Sequence, residues 1–173
     1  MKKIVVMILL ALLLAGCGEE KSMETISDEQ ATPVVATIQR IQLQLPPELS
    51  TPTLESEENG TLYMCEDYSL AVQTMESGDL QKTIRKVTGM EKEDLQLQTT
   101  RKGDAKCYQW VWTAGGETEI QVGRGCVLDD GKYHYVLTAL ADESVAGQVQ
   151  ETWREIFASF CLATEREEVS TGS

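Results

Sequence analysis

The sequence has one histidine, His134, among 173 residues. A single imidazole bounds the chemistry. A Ser–His–Asp or Cys–His nucleophile would have to take this residue as its base. A zinc site would have to manage without a second imidazole, and no C-x-x-C pair occurs to supply its usual ligand spacing. Basic residues are also scarce: 15 Lys and Arg stand against 28 Asp and Glu. Phosphate backbones are gripped by clustered Lys and Arg, so nucleic acid is excluded as a partner. The densest basic group, Lys82, Arg85 and Lys86, falls near the C-terminal end of a predicted helix, where cations are solvated and favoured.

A membrane-spanning run is missing as well. The apolar stretch Ile4–Leu14 is eleven residues long, whereas about 20 are needed to cross the hydrocarbon of a bilayer. Lys2 and Lys3 precede it and Ala15, Gly16 and Cys17 follow, which is the layout of a cleaved signal peptide over residues 1–16. Leu14-Ala15-Gly16-Cys17 resembles the lipobox of bacterial lipoproteins. The resemblance implies that Cys17 takes a diacylglycerol and becomes the first residue of the mature chain. Two acyl chains hold a protein stably where one does so only marginally. The expected state is therefore a protein anchored to the membrane on its extracytoplasmic face. Removal of residues 1–16 takes Lys2 and Lys3 and leaves 13 basic against 28 acidic residues, a balance of −15.

Four cysteines remain after Cys17: Cys65, Cys107, Cys126 and Cys161. An even count outside the reducing cytosol points to disulfides, with three pairings open, and four buried thiols stand as the alternative.

Residues 17–33 are rich in Glu, Ser, Thr and Gln and read as a disordered acidic tether. All four prolines lie before residue 53, at the first turns of the fold. Residues 34–162 have the size of one domain, and 163–173 form a polar tail. In the domain, Ile41, Leu43 and Leu45 alternate with glutamines as a strand stopped by Pro46-Pro47. A short strand at Thr53–Glu57 turns through Asn59-Gly60 into a third, bent at Glu66-Asp67 and continuing to Val72. Leu80, Ile84 and Val87 share a helical face, with Asp79 as cap and Gly89 just past the end. Leu95 and Leu97 open a strand. Tyr108, Trp110 and Trp112 alternate in the next, which returns through Ala114-Gly115-Gly116 to Ile120 and Val122. Asp129-Asp130-Gly131 then turns the chain into Tyr133–Leu140. Val145, Val149, Trp153, Ile156, Phe157 and Phe160 mark a final helix capped by Asp142 or Ser144. Strands joined mainly by tight turns give an α+β fold, a largely antiparallel sheet with helices packed on it.

Three of these stretches together resemble the PsbP-like α/β/α sandwich, a fold of many bacterial lipoproteins. They are Gln42-Leu43-Gln44-Leu45-Pro46, Tyr133-His134-Tyr135-Val136-Leu137-Thr138-Ala139, and Ile156-Phe157-Ala158-Ser159-Phe160. The resemblance implies an accessory or scaffolding module, often without catalysis, and carries over no functional residue.

The candidate sites have plain structural readings. His134 alternates with tyrosines and is expected on a sheet face as a hydrogen-bonded structural residue. Asp129-Asp130-Gly131 lacks the spaced ligands of a calcium loop and reads as a tight turn. Gly123-Arg124-Gly125 opens no helix after a strand, so it reads as strand distortion rather than a phosphate cradle. Tyr108, Trp110, Trp112, Tyr133 and Tyr135 would bind ligands if exposed, but such alternation is ordinarily core.

The expected function is a non-enzymatic binding or accessory module of the cell envelope. No catalytic residue, metal or cofactor is assigned. The membrane is a partner through the lipid on Cys17, and a protein or small ligand would bind through sheet-surface aromatics or loop carboxylates. Two alternatives stay open: an extracytoplasmic hydrolase using two carboxylates, and a purely structural envelope component.

Overall fold

Alternating apolar residues need a surface to lie on, and seven strands supply one antiparallel sheet. A computed structural model describes residues 34–38, 41–56, 60–115 and 119–163. The signal peptide, Cys17, the tether and the tail from residue 164 lie outside the described residues.

β1 (Val34–Ile38) and β2 (Ile41–Leu45) pair antiparallel, and Pro46 ends β2 before a 3-10 turn at Pro47–Leu49. β3 (Leu54–Ser56), β4 (Gly60–Met64) and β5 (Tyr68–Glu76) follow, then α1 (Leu80–Thr88). β6 (Gln98–Lys102), β7 (Ala105–Gly115), β8 (Ile120–Asp129) and β9 (Tyr133–Asp142) form a meander. The chain then folds back as α2 (Glu143–Ser159) and closes on β10 (Cys161–Leu162). The large sheet runs β3-β4-β5-β9-β8-β7-β6, and a small one runs β1-β2-β10. The result is the α+β fold expected, with helices on an antiparallel sheet.

Each face of the large sheet has its own core. On one, Leu70, Val72, Cys107, Cys126, Leu128, Tyr135 and Leu137 meet Trp153, Ile156 and Phe157 of α2 and Ile41, Leu43 and Leu45 of β2. On the other, Trp110, Trp112, Val127 and Val136 meet Ile84 of α1, with Leu80, Val87, Leu95 and Leu97 at the margin. The layers are therefore α1, large sheet, then α2 with the small sheet. None of the described helices is long and apolar enough to cross a membrane.

Several local readings hold. The Asp79 carboxylate accepts from the Gln81 N–H at 3.0 Å, and Gly89 closes α1 at φ +75° with its N–H on the Arg85 carbonyl. Others change. The bend at Glu66-Asp67 is a full reversal: β4 and β5 are separate strands, closed by the Cys65 N–H on the Tyr68 carbonyl. Leu95 and Leu97 precede β6 instead of lying in it, because they turn toward the α1 core while β6 is almost wholly exposed. Asp142 stands at the N-cap of α2 without a side-chain hydrogen bond. β1, β10 and the small sheet they make with β2 were not foreseen.

Gly123 and Gly125 do not distort β8. They lie opposite Trp112 and Trp110 in the register. A Cβ on Gly123 would stand 2.4 Å from the Trp112 ring, and one on Gly125 2.3 Å from that of Trp110. The indoles therefore lie flat on bare backbone, which only glycine allows.

Candidate functional site

His134 is 1% exposed and faces α1. Its Nδ1 is 2.7 Å from the Thr83 hydroxyl, while Nε2 is 3.5 Å from Ser77 Oγ and 3.8 Å from Asp129 Oδ1. Ser77 donates in turn to the same Asp129 oxygen at 3.2 Å. Hydroxyl, imidazole and carboxylate stand in the order of a nucleophilic triad, but Thr83 is only 5% exposed. A nucleophile must be open to its substrate. Burial lowers the His134 pKa, and the pull of Asp129 and Asp130 in the other direction is smaller. The ring is thus a neutral pin between α1 and the sheet, the hydrogen-bonded structural residue expected.

The Asp129-Asp130-Gly131 carboxylates are committed to the turn. Asp129 Oδ1 accepts from the Gly131 N–H at 2.8 Å. Asp130 Oδ1 accepts from Lys132 and Tyr133 at 2.8 and 2.7 Å, and Tyr135 donates to its Oδ2 at 3.1 Å. These are Asx-type bonds that shape a tight reversal. Among the described residues, no cluster of three or more His, Cys, Asp or Glu side chains is placed to hold a metal.

The five aromatics do not make a binding surface. Trp110, Trp112 and Tyr135 are buried, and register places the tryptophans and the two β9 tyrosines on opposite faces. The binding mode through sheet-surface aromatics is corrected accordingly.

All four described cysteines are free thiols. Cys107 and Cys126 lie on adjacent strands, buried under α2, with their sulfurs 3.5 Å apart. The hydrogen bond from Cys126 lowers the Cys107 pKa, and the same bond together with burial pushes Cys126 up. Cys65 donates to the Tyr68 carbonyl at 3.4 Å, and Cys161 is half-buried in β10.

The feature that composition did not announce is a groove. β6 pairs with β7 only as far as Gln98 opposite Gln109, so among the described residues β7 from Trp110 onward is an open edge of the sheet. Beside that edge, under the middle of α2, lies an open groove of about 620 Å³. Gln109, Val111, Val122 and Arg124 form its floor, α2 contributes Gln150, Glu151, Trp153 and Arg154, and Gln96 and Gln98 stand at its mouth. Its volume is within the range of small-molecule sites.

Arg124 is the charged group set into that floor. Its guanidinium lies 4.6 Å over the Phe157 ring and donates to Gln109 Oε1 at 3.4 Å. Burial lowers its pKa. No carboxylate of the described residues forms an ion pair with it, whereas Arg154 is paired with Glu151 and Arg85 with Glu91. The Trp153 indole Nε1, buried, has no hydrogen-bond partner. Sequence reading missed this site. Gly-Arg-Gly was its one trace, and its glycines serve the opposite face, under Trp112 and Trp110.

No protein-family model and no curated protein matches the chain. Solved structures do. The chain is similar to LpqN of Mycobacterium tuberculosis, described as involved in cell envelope biogenesis, at 14% identity and TM-score 0.51 over 77% of this chain and 90% of that one. It is equally similar to the cyanobacterial PsbP of Synechocystis sp. PCC 6803, at 11% identity and TM-score 0.51 over 87% and 99%. A Bacteroides thetaiotaomicron structure matches at 11% identity and TM-score 0.49, and there the chain spans 46% of the other protein. At these identities the likeness is one of fold, and the fold is the PsbP-like sandwich.

Proposed function

We propose that this chain is a lipid-anchored extracytoplasmic lipoprotein whose domain is a non-enzymatic binding module of the cell envelope, with the groove under α2 as its binding site. The groove carries the reading. It is an open concave surface that joins Arg124, a cation without a carboxylate partner among the described residues, to a row of glutamine amides. Its single carboxylate, Glu151, is held by Arg154, which speaks against two-carboxylate hydrolysis. The sealed His134 supports the same choice. The lipobox residues Leu14 to Cys17 support the anchor, and LpqN supports an envelope setting by analogy of fold alone. Export would also place the chain in an oxidising compartment, where Cys107 and Cys126, with sulfurs 3.5 Å apart, are the pair we propose to join, their two electrons and two protons passing to an external disulfide by thiol exchange.

The test is intact mass of the protein from native membranes, together with a photo-crosslinking residue at Val111, which is 66% exposed in the groove. The expected mass begins at Cys17, carries a diacylglycerol, and is lighter by two hydrogens until reduction. Crosslinking at Val111 is expected to trap one discrete adduct that a crosslinker at exposed Lys86, on α1, does not. A chain starting elsewhere, or with no lipid, refutes the anchor. Equal labelling from both positions refutes the groove.

A further inference from the structure

The groove differs in charge from the molecule that holds it. The chain carries a net −13, yet the charged residues lining the groove are Arg124, Arg154 and Glu151, a local excess of one positive charge. Arg85 and Arg154 pair with carboxylates and Arg101 donates to the Asp104 carbonyl, whereas Arg124 is the arginine set half-buried into a groove without a carboxylate partner among the described residues. Arg124 has five N–H donors, and its one hydrogen bond, to Gln109, is long at 3.4 Å. Phe157 covers one face of the guanidinium without using a donor. The Trp153 Nε1 is a second donor without a partner. A half-buried cation whose other donors are not taken by the described protein groups is a recognition element for a planar carboxylate, which it can meet with two parallel hydrogen bonds.

The rest of the lining describes the ligand's body. Gln96, Gln98 and Gln150 each present an amide that both donates and accepts, while that of Gln109 is engaged by Arg124 and Cys107. Hydroxyl groups also do both, so three such amides suit a polyhydroxylated molecule. Val111 and Val122 give a short apolar strip for the C–H face of a ring. The volume of about 620 Å³ is far larger than a bare anion needs, and it suits a ligand of a few ring units.

Taking the groove as the binding site proposed above, we infer that its ligand is an acidic saccharide, a sugar carboxylate whose carboxyl group pairs with Arg124 while its hydroxyls meet the glutamine amides. Arg154 serves as a second cation, restrained by Glu151.

Titration of the isotope-labelled domain in its full-length, detergent-solubilised form, followed by amide and arginine resonances, tests this with three probes. Cellobiouronic acid carries the carboxylate on a disaccharide, cellobiose is the same disaccharide without it, and inorganic phosphate is an anion without the sugar. Saturable shifts at Gln98, Val111 and Arg124 are expected with cellobiouronic acid, at an affinity at least about tenfold above either control. Arg124→Gln should erase the preference over cellobiose. Glu151→Gln, at an exposed position where folding is not at stake, should free Arg154 and strengthen cellobiouronic acid binding severalfold. Equal binding of both disaccharides overturns the carboxylate assignment and leaves the groove a sugar site. Equal binding of phosphate overturns the saccharide. No groove shifts with any probe overturns the inference, while the Val111 crosslink reports separately on whether the groove binds at all.

Discussion

His134 illustrates how far one residue's role is readable. Its place on a sheet face followed from alternation with Tyr133 and Tyr135, but its partners Thr83, Ser77 and Asp129 come from three other segments and no local pattern announces them. The burial that lowers its pKa has a sign for stability. In the unfolded chain the imidazole titrates near about 6.5. Because the folded value is lower, the unfolded state takes up the proton first, so stability is intact above about pH 6.5 and is lost as pH falls below it. Urea midpoints at pH 8, 6 and 5 should therefore decline for the native protein. His134→Gln should start lower at pH 8, by about 1–2 kcal/mol for the lost bonds, and decline less between pH 8 and 6. Parallel declines in the two proteins would place the acid sensitivity elsewhere. Arg124 was legible only as an oddity between glycines, since what makes it a site is α2 laid over it and, among the described residues, no carboxylate paired with it.

Elements were legible where local chemistry decides them. α1 is capped by Asp79 and stopped by Gly89, and the Asp129-Asp130-Gly131 turn satisfies its own backbone, so both follow from a few adjacent residues. The end of α2 is different. Its last carbonyls, those of Phe157, Ala158 and Phe160, accept from the Lys102 ammonium at 2.7, 3.2 and 2.9 Å. A lysine at the end of β6 thus closes a helix more than fifty residues later in the chain. Ammonium has three donors and is attracted by the negative end of the helix dipole, so the fit is complete. Lys102→Met keeps the stem and removes those bonds. It should cost about 1–3 kcal/mol in urea unfolding and speed amide exchange in the last turn of α2, while leaving α1 unchanged. Unaltered exchange there would show that the clamp contributes nothing. β1 and β10 were illegible for a related reason: they exist because β2, with Ile41, Leu43 and Leu45 inward, offers two edges to pair.

At the scale of the molecule, two electrostatic effects oppose each other. A net charge of −13 makes the compact state repel itself. At 10 mM salt the screening length is about 30 Å, on the scale of the whole domain, and at 150 mM it is about 8 Å. Raising salt over that range should therefore stabilise the fold, raising Tm by roughly 2–5 °C. The pairing of an anion with Arg124 is an attraction and should weaken over the same range, though only partly, because a half-buried cation is screened less than an exposed one. The signs separate two explanations of the charge. If the acidic surface serves mainly to keep the tethered domain soluble and apart from its neighbours, salt moves Tm and groove affinity in opposite directions. If acidic residues instead engage the arginines across the fold, salt lowers Tm, and the count of one paired and one unpaired arginine in the groove would have to be revised. Thermal melts and cellobiouronic acid titrations at 10 and 150 mM sodium chloride give both slopes from one protein preparation.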